Sequence, residues 1–166
     1  MEGLAKKLAG ILMDSNLRIG TVEQCTSGLI GSVISSFDCA ERWYRGSIVA
    51  YDQGTACEVL DIEKSTIARN DFVSPQVAYQ MALGGLNILD VDVCIGIVGY
   101  LEGFGSSDVA PGTVQICVAK KIGGMTSFKY HKMLLRGGKR GEYTEDCIET
   151  SLKITIDHLL EDGTDK

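Results

Sequence analysis

The sequence predicts a three-layer α/β/α domain built on a mixed, mostly buried sheet. Two segments, Val91 to Val98 and Thr113 to Ala119, are almost continuously apolar, as strands covered on both faces are. Segments with apolar residues at helical spacing alternate with the strand-like runs. The resulting order, αβαβαβββα, contains no repeat or low-complexity linker, and it packs most simply as helices on both faces of one sheet.

The elements follow in order. Leu4, Leu8, Ile11 and Leu12 share one face of a first helix over residues 4–13, with Asp14-Ser15-Asn16 as its exit. Arg18 to Cys25 reads as a strand ending at Thr26-Ser27-Gly28. Leu29 to Phe37 reads as a helix with Thr26 or Ser27 as its N-cap. Gly46 to Tyr51 is a second strand, followed by a polar stretch. Ser74-Pro75 starts a helix running to about Asn87, because serine caps and proline suits the first turn. After the strand at Val91 to Val98, Gly99 to Gly112 is a glycine-rich loop, and Thr113 to Ala119 is the next strand. Lys120 to Thr126 turns through Gly123-Gly124 into a more polar strand, Ser127 to Leu135, at or near a sheet edge. Glu142 to Leu160 is the last helix, with Cys147, Ile148, Leu152, Thr155 and Leu159 as its apolar stripe, and Glu161 to Lys166 is a polar, frayed tail.

The chain has 166 residues, with 16 Lys+Arg against 22 Asp+Glu, for a formal net charge of −6. That length suits one domain covering residues 1–166. An acidic chain without a dense Lys/Arg run carries no footprint for binding DNA or RNA. No apolar run approaches the roughly 18 residues of a membrane helix, and the N-terminus lacks a signal peptide's layout. A soluble, cytoplasmic protein without nucleic-acid or membrane partners is therefore expected. The six cysteines lie too far apart for a C-x-x-C pair, and the two histidines fall on different elements. This argues against zinc, other metals and a disulfide scaffold, and Cys94 and Cys117 read as core residues. His158 reads as the edge of a packed helix face.

Chemistry is expected where apolar strands end in polar or glycine-rich loops, because ligands of open α/β sheets collect there. Glu23-Gln24-Cys25-Thr26-Ser27-Gly28 runs from a strand into a helix N-terminus, whose free N–H groups suit an anion such as phosphate. The same junction would lower the pKa of Cys25, although no base can be placed beside it from sequence. No G-x-x-x-x-G-K-S/T loop occurs. The Gly99 to Gly112 loop offers Glu102, Gly103, Ser106, Ser107 and Asp108 as site or turn residues, and Gly103-x-Gly105 lacks the third glycine of a dinucleotide fingerprint. Arg136-Gly137-Gly138-Lys139-Arg140 is the one basic stretch, suited to a phosphate or a carboxylate.

In this order the motifs resemble the C-terminal domain family of CinA, the competence/damage-inducible protein. Its active members are nicotinamide mononucleotide (NMN) deamidases of the PncC type, which hydrolyse NMN to nicotinic acid mononucleotide and ammonia without a metal. The resemblance covers about residues 4 to 160. The family's E-S-C-T-G-G is similar to Glu23 to Gly28, and its V-x-Y-S-N-E-x-K to Val49 to Ala56. Its V-S-x-x-V matches Val73-Ser74-Pro75-Gln76-Val77, its P-V-G-T-V resembles Ala110 to Val114, and its G-D-R resembles Gly138-Lys139-Arg140.

The resemblance implies a serine-dependent amidohydrolase assisted by lysine and tyrosine, acting without a cofactor and commonly as a homo-oligomer. Gln24 stands at the serine position and Ala56 at the lysine position; of the three residue types only Tyr51 remains. The family's loop at Val98 to Ser106 is also altered. Three readings follow. One is a diverged, inactive member keeping a nucleotide-like pocket built from Cys25, Thr26, Ser27, Gly28, Tyr51, Gly99, Gly103, Ser106 and Arg140. Another is an active amidohydrolase on NMN or a related amide, with a rearranged site around Tyr51, Cys25, Thr26, Ser106 and Ser107. The last is a non-catalytic interaction subunit.

Overall fold

The computed structural model describes residues 1–103, 106 and 108–161. Phe104, Gly105, Ser107 and the tail beyond Glu161 lie outside the described residues. The elements are α1 (Glu2–Asp14), β1 (Ile19–Glu23), α2 (Leu29–Ile34), β2 (Tyr44–Val49), α3 (Gln53–Leu60), α4 (Lys64–Asn70), α5 (Pro75–Leu89), β3 (Val93–Gly99), β4 (Thr113–Ile122), β5 (Met125–Leu134) and α6 (Arg140–Leu160). One short 3-10 turn, Ala40–Arg42, precedes β2.

The sheet is mixed, in the order β2-β1-β3-β4-β5. β1 runs parallel to both β2 and β3, while β4 and β5 are antiparallel to their neighbours. Alternate side chains feed two separate cores. Ile19, Val93, Ile95, Ile97, Val114 and Ile116 pack with α1, α2 and α6 on one face. Val22, Cys94, Val98, Cys117 and Ala119 pack with α3 and α5 on the other. This is the expected three-layer arrangement, and Cys94 and Cys117 are core residues as expected.

The closeness of α5 to the sheet depends on Gly96. A Cβ there would lie 2.6 Å from the Ala78 carbonyl oxygen and 2.7 Å from the Ala82 nitrogen, so any larger residue would push the helix away. As expected, Ser74 caps α5, its Oγ accepting from Val77 N at 3.3 Å with proline at the first helical position. β5 occupies the sheet edge, and Gly123-Gly124 makes the two-residue turn between Ile122 and Met125.

Several expectations are corrected. The polar stretch after β2 is helical: Asp52 caps α3 by accepting from Thr55 N at 3.0 Å, and α4 follows. α4 buries no residue fully, so it leaves no apolar stripe in the sequence. β2 starts two residues earlier than expected and ends at Val49, and α6 starts at Arg140. α2 ends at Ile34, and neither Thr26 nor Ser27 caps it. Its N-cap position is Gly28, at φ +90°, and its capping group comes from β1.

Candidate functional site

Because β1, β2 and β3 are parallel, their carboxyl ends lie side by side. Glu23 pairs in register with Val49 of β2 and with Ile97 of β3. Gln24, Tyr51 and Gly99 therefore follow at one end of the sheet, where the sequence placed the candidate site.

Glu23 is fully buried, and its carboxylate organises this end. Oε2 accepts from Thr26 Oγ1 at 2.6 Å, Gly28 N at 3.0 Å and Ile30 N at 3.1 Å. Oε1 accepts from Gly31 N at 2.8 Å and has the Thr21 and Ser47 hydroxyls at 2.9 and 3.2 Å. Three hydroxyls and three backbone N–H groups thus surround a buried charge at the positive end of α2. The N–H groups expected to receive a phosphate are therefore occupied by the chain's own carboxylate. In the sequence Glu23 is marked only as part of the Glu23 to Gly28 motif. The signal for its role is the flanking set of small hydroxyl residues and Gly28, which let a helix start close against a strand end.

Gln24 turns across the sheet, and its Oε1 accepts from Gly99 N at 2.9 Å. Cys25 and Thr26 are buried at 3% and 0% exposure. The Cys25 thiol is pushed well up, first by its hydrogen bond with the Cys147 thiol and then by burial. That reverses the activation expected from the helix junction, and with the Thr26 hydroxyl held by Glu23 neither residue presents a free polar atom to a ligand. Ser27 is exposed and Gly28 is partly exposed.

Tyr51 is 56% exposed beside these groups, whereas Ala56 is fully buried among Ala50, Leu60, Val73 and Val77. Gly99 is buried, and a Cβ there would approach Val114 Cγ2 to 2.7 Å and Cys25 Sγ to 3.2 Å. The loop beyond it is tied down at three points. The Tyr100 hydroxyl donates to Asp71 Oδ1 at 3.1 Å, Ser106 Oγ accepts from Val109 N at 3.1 Å, and Glu102 Oε1 accepts from Arg140 N at 2.9 Å. Burial pushes the Asp71 carboxyl up, but hydrogen bonds from Ser106, Val73 N and Tyr100 outweigh it and hold the group below its usual range. Gly103 is exposed at φ +96°, and Arg140 is exposed at the first turn of α6. Ser107 and Gly105 lie outside the described residues.

Among the described residues no three His, Cys, Asp or Glu side chains are grouped to hold a metal ion. No described helix is long and apolar enough to cross a membrane. His158 is buried at the end of α6, its Nε2 lying 3.2 Å from Ser127 Oγ, on a different part of the molecule from the strand-end residues.

A mixed five-stranded sheet between two helical layers, with polar residues gathered at the ends of its parallel strands, defines a three-layer α/β domain. The chain belongs to the CinA C-terminal domain family, whose model matches residues 1–159. A CinA-like protein of Rippkaea orientalis is 32% identical over 129 residues, covering 77% of this chain but 31% of the relative. The chain thus spans about a third of that relative's length. The "Protein MG115 homolog" of Mycoplasma pneumoniae is 28% identical over 156 residues, 94% of this chain and 96% of the relative. The crystal structure of a competence or damage-inducible protein from Enterobacter asburiae superposes with a TM-score of 0.86 at 30% identity, covering 95% of this chain and 97% of that one.

Proposed function

We propose that this is a cytoplasmic CinA-family domain that does not hydrolyse NMN and that retains a mononucleotide-binding face at the carboxyl ends of β1, β2 and β3. The observation that carries the first half is the hydrogen bond from Gly99 N to Gln24 Oε1, 2.9 Å long. A glutamine amide does not ionise to attack a substrate, and this one is engaged in joining β1 to β3. The position of the family's lysine is a buried alanine, so a general base is missing there too. Losing members of a cooperating catalytic set costs several orders of magnitude in rate. A rearranged hydrolase drawing on Cys25 and Thr26 is disfavoured, because the thiol is sealed against Cys147 and the hydroxyl is held by Glu23.

The second half rests on the exposed groups. Tyr51 offers a ring, Ser27 a hydroxyl and Arg140 a guanidinium, a set suited to the ring, ribose and phosphate of a mononucleotide. With the α2 N–H groups occupied, the phosphate is assigned to Arg140. The test incubates the protein with NMN and follows thermal unfolding together with the mass of the nucleotide. NMN should stabilise the protein, by about 2.7 kcal/mol at 100 times its Kd, and be recovered unchanged. Arg140→Gln should lose the stabilisation. Conversion to nicotinic acid mononucleotide would overturn the first half, and no stabilisation by NMN would overturn the second.

A further inference from the structure

A groove of about 540 Å³ opens between α4, the first half of α5 and β5, and it shares no lining residue with the strand-end face. Its volume lies within the range of about 300–1,000 Å³ typical of small-molecule sites. Tyr79 and Tyr130 supply two aromatic rings, the Tyr79 ring being fixed against Phe128 with centroids 4.6 Å apart. Gln80 lines the same groove, and its Oε1 is buried without a hydrogen-bond partner. Its Nε2 reaches Thr66 Oγ1 only at 3.4 Å.

The charged groups are also specific. Arg69 Nε donates to Ser65 O at 3.2 Å, which orients the guanidinium and leaves its terminal nitrogens without a partner among the described residues. Glu63, at the other end of α4, accepts the Ser65 hydroxyl at 3.0 Å through one carboxylate oxygen. The two positions are six residues apart, about 9 Å along a helix axis. Two long side chains can converge from that separation on opposite charges of one small molecule. A dianionic ligand would be repelled by Glu63, and a cation by Arg69.

We propose that this groove binds a small aromatic zwitterion, its ring against Tyr79 and Tyr130, its carboxylate on Arg69, its ammonium on Glu63 and a polar edge on Gln80. Aromatic α-amino acids have that chemistry. The experiment titrates the full chain with L-tryptophan and L-phenylalanine, and with tryptamine and indole-3-propionate, which lack the carboxylate and the ammonium respectively. Binding is read from the Tyr79 and Tyr130 ring resonances. At least one amino acid should bind with shifts at both rings. Each singly charged probe should bind about tenfold or more weakly than L-tryptophan where that is the ligand, the scale of one charge-assisted hydrogen bond. Arg69→Gln and Glu63→Gln should each weaken amino-acid binding by a similar factor, whereas Arg45→Gln, which removes a charge at the opposite sheet edge, should leave it unchanged. No ring shift with either amino acid at millimolar concentration would overturn the proposal. So would equal binding of L-tryptophan and its singly charged analogues, or shifts confined to the strand-end face.

Discussion

A buried carboxylate is stable only when polar or charged groups replace its water. Glu23 meets that condition through the Thr21, Thr26 and Ser47 hydroxyls and the Gly28, Ile30 and Gly31 N–H groups. It therefore joins β1, β2 and the start of α2 in one place. Glu23→Gln should destabilise the fold by about 3 kcal/mol or more, because an amide nitrogen would face donors that then lose their acceptor. Chemical denaturation measures this, and a change below about 0.5 kcal/mol would mean that the buried charge is dispensable. Only part of this was legible in the sequence. The motif marked the junction correctly as a meeting of strand and helix N-terminus, but which anion fills that terminus depends on how β1 and α2 approach each other. Gln24 and Ala56 were legible as departures from the family pattern. Their surroundings, a hydrogen bond to Gly99 N and a sealed apolar pocket, required the fold.

The elements divide by how much apolar surface each buries. α5 was read almost completely, because Ser74 and Pro75 announce its start and Val77, Met81, Leu83 and Leu86 mark its apolar face, of which all but the partly buried Leu83 are fully covered. Ser74→Ala should cost about 1 kcal/mol by leaving Val77 N without its cap, measurable as a lowered denaturation midpoint. A midpoint equal to that of the unaltered chain would show that proline and tertiary packing alone define the helix start. α3 and α4 went unread because they are short, and α4 buries no residue fully. α3 is held by its Asp52 cap and α4 without a side-chain cap, both against α5, and neither carries a long periodic apolar pattern. β5 was placed correctly at an edge, since its polar residues include Lys129 and Lys132, charges that discourage pairing with a further strand.

Across the whole molecule, the two cores on opposite faces of the sheet account for the three layers, and these were legible because β3 and β4 are apolar on both faces. The closing end of α6 adds a pH dependence. Burial, and then the positive charge of Lys120, hold the His158 imidazole below its ordinary pKa, against opposing contributions from Ser127 and Glu161. The unfolded chain therefore takes up a proton near pH 6.5 that the folded one resists, so stability should fall as the pH drops below about 6.5. The melting temperature of the unaltered chain should decline between about pH 7.5 and 5.5 more steeply than that of His158→Gln. Parallel profiles would remove His158 from the account. The net charge of −6 gives no general attraction for an anionic nucleotide, so binding at the strand ends depends on Arg140 alone among the groups assigned there. The most direct measurement is steady-state ammonia release from NMN by the unaltered chain, beside an active deamidase under the same conditions. No release above the background of NMN without protein is expected, and sustained release at an enzymatic rate would show that the domain is an active deamidase.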